Sequence, residues 1–245
     1  MNDTLALLKS HRSIRAFKET AIDPSVLAEL IQAGQAAATS SFIQACTVIN
    51  VTDSALREEL MACAGGQPYV KSAPTFLVFC ADMKRHQLAC QMHDADMQSG
   101  FTEQFITATV DCGLFAQNVA VAAESMGLGL VYIGGLRNQI QRASEALNLP
   151  ELVYPVFGMC LGYPDQDPEV KPRLPLEVIF KENQYDDTQD TQKLADYDQQ
   201  IEAYYQSRTG NNKVSGWTDQ ISGMLVKEAR PHMLGYLQDR GFIKR

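Results

Sequence analysis

The chain has 245 residues, 45% apolar and 20% charged, with a formal net charge of −8 and a sequence pI near 5.0. That length can bury a real core in one large domain or two small ones. The acidic balance argues against a protein that holds nucleic acid by its overall charge, because no basic face is available to release counterions.

The opening residues lack the apolar stretch of a signal peptide, and no run of 18 apolar residues is read, so a cytoplasmic protein with no membrane partner is expected. Leu5-Ala6-Leu7-Leu8 is a short amphipathic start that runs into His11-Arg12-Ser13-Ile14-Arg15. Extended, this pentad sets His11, Ser13 and Arg15 on one side and Arg12 and Ile14 on the other. It reads either as a solvated basic turn or as a strip of fork-shaped donors for a small anion.

Asp23-Pro24 predicts a helix start, with Val26, Leu27, Leu30 and Ile31 as its apolar stripe. Thr39-Ser40-Ser41-Phe42 follows as a hydroxyl-rich turn beside an aromatic, and residues 47–51 predict a strand. Asp53 predicts the cap of a helix that stops at Gly65-Gly66, with Gln67 next. Residues 75–81 are continuously apolar and predict a buried strand. His86, Cys90 and His93, spaced i, i+4, i+7 on one face of a predicted helix, could hold zinc; with no fourth ligand, no metal is expected. The six cysteines are scattered without C-x-x-C and read as reduced thiols.

Residues 102–126 predict a helix apolar on most of its circumference, either central or shared with a partner subunit. Gly127-Leu128-Gly129 then leads into a strand ending at Ile133, with Gly134-Gly135 after it. The order helix, turn, strand excludes a G-x-G-x-x-G dinucleotide fingerprint, which needs strand, turn, helix. Two adjacent glycines suit either a tight turn or bare backbone under a flat ligand. Asn138 is expected to cap the next helix, through Leu147, and residues 154–163 predict another strand. Prolines at 164, 168, 172 and 175 keep Lys171-Pro172-Arg173 extended. Residues 183–200 predict a surface helix with Leu194, Tyr197, Ile201 and Tyr204 at helical spacing. After it come the polar loop Arg208-Thr209-Gly210-Asn211-Asn212-Lys213 and two short helices, the second from Pro231 to Gly241. No G-x-S-x-G nucleophile elbow occurs.

In this order the motifs resemble the oxygen-insensitive NADPH nitroreductases and NADPH:flavin oxidoreductases of the nitroreductase superfamily. The resemblance rests on His-Arg-Ser-Ile-Arg at 11–15, Ser40-Ser41-Phe42, Gly-Gly-Gln at 65–67 and Gly-Leu-Gly-Leu-Val-Tyr-Ile-Gly-Gly-Leu-Arg-Asn at 127–138. It continues through Lys-Pro-Arg-Leu-Pro at 171–175, Tyr204-Tyr205 with Arg208 and Asn211-Asn212, and Lys-Glu-Ala-Arg-Pro at 227–231.

The resemblance implies an α+β fold with a central, mostly antiparallel sheet flanked by helices, and an intertwined homodimer with FMN at each subunit interface. It implies one domain over residues 1–245, with 176–245 as a C-terminal extension carrying an NADPH-contact loop. By family pattern Arg12, Lys171 and Arg173 grip the FMN phosphate, while Ser13 and Arg15 face the ribityl chain and pyrimidine edge. Gln67 meets the pyrimidine rim, Ile133, Gly134 and Gly135 approach N5, and His11, Thr39, Ser40 and Ser41 complete the cradle. Thr39 stands where the family usually has serine, which leaves its contact open. Arg208 and Lys213, the latter commonly arginine, are the implied NADPH contacts; Phe42, Glu103 and Arg230 are those for the acceptor and nicotinamide. The implied reaction is ping-pong, with hydride passing from NADPH to the flavin and two electrons then passing to nitroaromatics, quinones or related acceptors. No side chain is catalytic in the strict sense, since the flavin carries the chemistry. A reductase releasing reduced FMN, and a non-catalytic flavin-binding module, remain as alternatives.

Overall fold

The structure, a computed structural model, describes residues 2–208 and 215–245. Four antiparallel strands form a sheet among the described residues: β1 (Cys46–Asn50), β2 (Thr75–Asp82), β3 (Gly129–Ile133) and β4 (Val153–Gly162), in the order β1-β2-β4-β3. The helices in chain order are α1 (Asp3–Lys9), α2 (Pro24–Gln35), α3 (Ser54–Cys63), α4 (Tyr69–Ser72), α5 (Lys84–Gln91), α6 (Thr102–Ser125), α7 (Ile140–Ala146), α8 (Leu176–Ile179), α9 (Asp190–Ser207), α10 (Trp217–Leu225) and α11 (Met233–Asp239). This is the expected α+β class.

β2 and β4 take the middle of the sheet, and all their residues except Phe157 are buried. Strands covered on both faces have no polar side, which is why they read as continuous apolar runs. Along β2 the side chains alternate. Phe76, Val78 and Cys80 meet Leu60 and Cys63 of α3 and Ala143 of α7, whereas Leu77 and Phe79 meet Leu30 of α2 and Ala116, Val119 and Ala123 of α6. Each face of the sheet therefore closes its own core.

The expected caps form. Asp23 accepts from Ser25 N at 2.8 Å and Asp53 from Leu56 N at 2.7 Å. α3 is followed by Gly65 and Gly66 at φ 79° and 75°, a left-handed exit that a side chain would strain. α6 has the length and mean hydropathy of a membrane span, although Asp111, Gln117 and Asn118 interrupt its apolar run. Here one side of it is core, with Ala108, Cys112, Ala116, Val119 and Ala120 buried, while Ile106, Val110 and Leu114 remain 47, 52 and 43% exposed.

Contacts divide the chain into two units, residues up to 168 together with 230–245, and residues 169–229. In the first, the C-terminal segment sends Tyr236, Leu237 and Phe242 into a cluster with Ala108 and Tyr154. In the second, α9 buries Tyr197, Ile201 and Tyr205, and Tyr197 packs edge-on against Trp217 at 6.2 Å. The helix predicted over 183–200 thus starts later. Asp186 accepts from Thr188 N at 3.0 Å, a local turn that keeps the preceding residues out of the helix. The stripe is completed by Tyr205, while Tyr204 is half-buried.

Pro155 explains a further detail. It lies inside a central strand, where its missing N–H would interrupt the ladder. The register between β2 and β4 shifts at this point: Phe79 pairs with Phe157 and Cys80 with Pro155, so Val156 bulges. The Val156 carbonyl is taken by the Arg137 guanidinium. Arg137→Met should leave this buried carbonyl without a donor and lower unfolding stability by about 1–3 kcal/mol in urea titration. An unchanged midpoint would show that the bulge needs no such partner.

Candidate functional site

The predicted site residues of the first unit fall into three groups. The opening pentad follows α1 in extended form along the sheet edge. Ile14 N donates to Leu130 O at 2.8 Å and Lys18 N to Tyr163 O at 2.9 Å. Ile14 is buried, and with Arg12 it lines a cleft of about 420 Å³ that also holds Glu124, Gly129, Gln166 and Asp167. Arg12 and Ile14 thus share a side, as the extended reading expects, and Arg15 is exposed. Two of the three basic residues are already partnered: His11 Nδ1 lies 2.6 Å from Glu124 Oε1, and Arg12 Nη2 lies 2.5 Å from Asp167 Oδ1. Asp167 is 83% exposed, so water competes with that ion pair and an incoming anion can replace it. Burial first, then the charge of Glu124, pushes the nearby Tyr132 phenol up to about 12.

The second group joins segments some 70 residues apart. Gln67 Nε2 donates to Ala64 O at 2.7 Å, and its Oε1 accepts from the Tyr69 hydroxyl at 2.5 Å. β3 runs directly into a 3-10 turn, Gly134–Gln139, which lies against this loop. A Cβ on Gly135 would stand 2.5 Å from Gln67 Nε2 and 2.6 Å from Ala64 O, so only glycine fits there. Ile133 is buried in the core, which leaves only its backbone for a ligand.

Asn138 is not the helix cap expected from the sequence. Its Oδ1 accepts from Arg230 Nε at 2.9 Å, and α7 begins at Ile140 without a side-chain cap. Arg230 itself takes φ 58°, and the neighbouring His232 Nε2 lies 3.0 Å from Arg137 O. Burial, followed by the charge of Arg230, lowers the Arg137 guanidinium below its ordinary value. Gln67, Gly135, Asn138 and Arg230 are therefore drawn into one neighbourhood, and Arg137 joins them. The sequence marked Arg137 only as part of a motif; its role follows from the bulge at Val156.

The third group is the turn at Thr39–Phe42. Ser40 N and Ala45 N donate to the two oxygens of Asp111 on α6, at 3.1 and 3.2 Å. Thr39 uses its hydroxyl to accept from Gln44 N at 3.3 Å, closing the loop. Ser40, Ser41 and Phe42 are exposed, and so is Glu103 in the first turn of α6. Asp111 and Glu124 are thirteen positions apart on one helix. That separates the two anchor points by about 20 Å at helical rise.

In the second unit, Lys171 Nζ donates to the Tyr205 hydroxyl at 2.9 Å and lies 5.1 Å from that ring's centroid. Arg173 is exposed on the non-helical segment that the prolines predict. The Arg208 guanidinium lies 5.6 and 5.9 Å from the ring centroids of Tyr204 and Tyr205. Gly210, Asn211, Asn212 and Lys213 lie outside the described residues. His86, Cys90 and His93 do not share one helix face, because α5 ends at Gln91, and His86 Nε2 is bound to Ile43 O at 2.7 Å. Among the described residues no group of three His, Cys, Asp or Glu is placed to hold a metal ion.

Residues 8–163 match the model of the nitroreductase family, and residues 171–245 match that of the nitroreductase family C-terminal domain. The chain belongs to the nitroreductase family. It is 49% identical to the NADPH-flavin oxidoreductase of Vibrio harveyi and 44% identical to the oxygen-insensitive NADPH nitroreductase of Salmonella typhimurium, covering all of both chains. A solved NADPH:FMN oxidoreductase from Vibrio harveyi, complexed with NAD+, superposes with a TM-score of 0.92 at 46% identity over the whole of each chain. A side chain at Gly135 would meet backbone as well as the Gln67 amide. Gly135→Ala should force Gln67 off Ala64 and cost about 1–3 kcal/mol by overpacking. At this chain length that is roughly 2–4 °C of Tm for each kcal/mol. A variant that melts like the wild type would show that the two loops are free to separate.

Proposed function

We propose that the protein is an FMN-dependent oxidoreductase that uses NADPH to reduce flat, electron-poor acceptors such as nitroaromatics and quinones, the two substrates taking turns at one face. The observation that carries the reading is the match to the family over both of its parts, with full-length relatives named as NADPH-flavin oxidoreductase and NADPH nitroreductase. The residues present suit FMN. Arg12 lines an open cleft with an exchangeable partner, and Gly135 brings bare backbone against the Gln67 amide in a space that a Cβ would fill. FMN held there would supply hydride acceptance and electron-pair transfer, chemistry that belongs to the cofactor.

The protein's own contribution is binding and electrostatics. In this reading Arg12, Lys171 and Arg173 neutralise the phosphate, an assignment for the last two that rests on family pattern alone. Arg15 and Ser13 meet the ribityl chain and pyrimidine edge, where a fixed guanidinium favours negative charge. Gln67 and the backbone at 133–135 hold the ring, with His11 and Thr39–Ser41 completing the cradle. Phe42, Glu103 and Arg230 face the acceptor and the nicotinamide. The extension 176–245 supplies Arg208 and Lys213 for NADPH. A cytoplasmic location fits a supply of reduced nicotinamide. A second reading, with free FMN as the acceptor, is favoured by the higher identity to the flavin oxidoreductase.

The site is proposed to be shared in a homodimer. The pentad and the hydroxyl turn are anchored about 20 Å apart on α6, and Ile106, Val110 and Leu114 are exposed on that helix. In this reading the two groups that hold one cofactor come from different chains. The FMN-bound protein should sediment at about twice 27.1 kDa at micromolar concentration. A monomer that binds FMN tightly would exclude a shared site.

The direct test of function is to reconstitute with FMN, look for yellow colour, and follow NADPH oxidation with nitrofurazone, a quinone and free FMN. Failure to take up FMN would remove the reading. Arg208→Ala should raise the KM for NADPH about five- to thirtyfold, the loss of one exposed ionic contact of about 1–2 kcal/mol. The KM for NADH should hold, because only NADPH carries the 2′-phosphate. Equal losses with both would mean that Arg208 supports its loop and does not read the phosphate.

A further inference from the structure

The loop between α2 and β1 is held in a conformation its residues do not favour. Ser41, Phe42 and Gln44 take φ of 48°, 57° and 56°, left-handed values that are uncommon for any residue but glycine. The result is that Phe42 is 80% exposed while its neighbour Ile43 packs toward the core. An apolar ring turned into water gains nothing for folding, so something outside the loop must hold it there.

Two helices do so. The buried Asp111 of α6, 2% exposed, takes the N–H groups of Ser40 and Ala45, one at each end of the loop. From α5, His86 Nε2 lies 2.7 Å from Ile43 O and Arg85 Nη1 lies 3.3 Å from Gln44 O. A carbonyl can only accept, so the His86 proton must be on Nε2, and the ring acts as a donor to the loop. Amides are thus drawn to one helix and carbonyls to the other, with Ser41 and Phe42 projecting between. A cavity of about 50 Å³, lined in part by Thr39, Gln44, Cys46, Asp111 and Phe115, leaves the loop space to shift once a contact is cut.

We propose that His86 and Asp111 are positioning residues that hold the 40–45 loop so that the Phe42 ring is presented to a flat acceptor, and that they thereby set acceptor affinity. The proposal rests on the reading of the protein as a flavin-dependent reductase. An aromatic face fixed in advance binds a planar electron-poor molecule without first being ordered. Phe42 faces the nicotinamide as well, but NADPH is also held through its 2′-phosphate by Arg208 in this reading, so it should lose less affinity than an acceptor that has only the ring.

The test compares His86→Leu, which removes the donor, with His86→Gln, whose amide can still donate to Ile43 O. Both keep the buried carboxylate and carry the experiment; Asp111→Asn is the companion variant. With holoenzyme at saturating NADPH, His86→Leu should raise the KM for nitrofurazone about five- to tenfold, as expected for one lost hydrogen bond. The KM for NADPH should stay within about twofold, and His86→Gln should restore acceptor affinity. In a Phe42→Ala background His86→Leu should add no further rise, because its effect runs through that ring. Amide hydrogen exchange over residues 39–45 should quicken in His86→Leu and Asp111→Asn and return toward wild type in His86→Gln. Effects of His86→Leu and Phe42→Ala that multiply, or a lower Tm with acceptor KM untouched, would overturn the proposal. The exchange arm needs no turnover, so failure of the enzyme assay in the wild type would count against the flavin-reductase reading and leave the clamp separately readable.

Discussion

Helix α6 sets the distances on which the rest of the first unit depends. Twenty-four residues give it about 36 Å of length, enough to pass the whole sheet. Its small side chains, Ala108, Ala116, Ala120 and Ala123, let the sheet and α2 come close. Two carboxylates stand on it as anchors, Asp111 for the hydroxyl turn and Glu124 for the pentad. Neither is needed by the helix itself. Each reaches out to a segment outside the strands and α-helices, and so turns the rigidity of a core helix into the position of that segment.

The strands perform the same service on the other side. A proline inside β4 forces one residue to bulge, and the bulge frees a carbonyl that must find a donor in a dry environment. Arg137 supplies it, which pins the turn after β3. That turn can lie against Ala64 and Gln67 only because residue 135 has no side chain. A ladder defect in the middle of the sheet is thereby linked, through one guanidinium and one glycine, to the place where Asn138 and Arg230 meet.

How much of this could be read from the sequence depended on whether the signal was local. The buried strands, the Asp23 and Asp53 caps and the glycine stop after α3 rest on neighbouring residues, and they formed where expected. The Asn138 cap failed because a distant arginine claimed its oxygen, and the helix after residue 183 was delayed by a turn that Asp186 makes with its own backbone. The role of His86 was not legible at all. Its spacing with Cys90 and His93 suggested a metal face, but the ring is committed to a loop 43 residues earlier in the chain. Asp111 gave no signal at all, since a carboxylate in an apolar helix reads as a lone polar interruption. Only the two amides it satisfies explain why it is tolerated there.

The same logic accounts for how an acidic chain can keep a cationic site. With a net charge of −8, the Arg12 guanidinium has a carboxylate within reach. What matters is the cost of parting them. Arg12 is held by Asp167, whose side chain is 83% exposed and returns to water with little loss. His11 faces Glu124, whose side chain is only 14% exposed and would lose more by separation. Within one pentad, then, the partner of Arg12 is a placeholder and the partner of His11 is a support. The two adjacent residues can differ in role, one available to a ligand and the other fixing the strip from which it reaches.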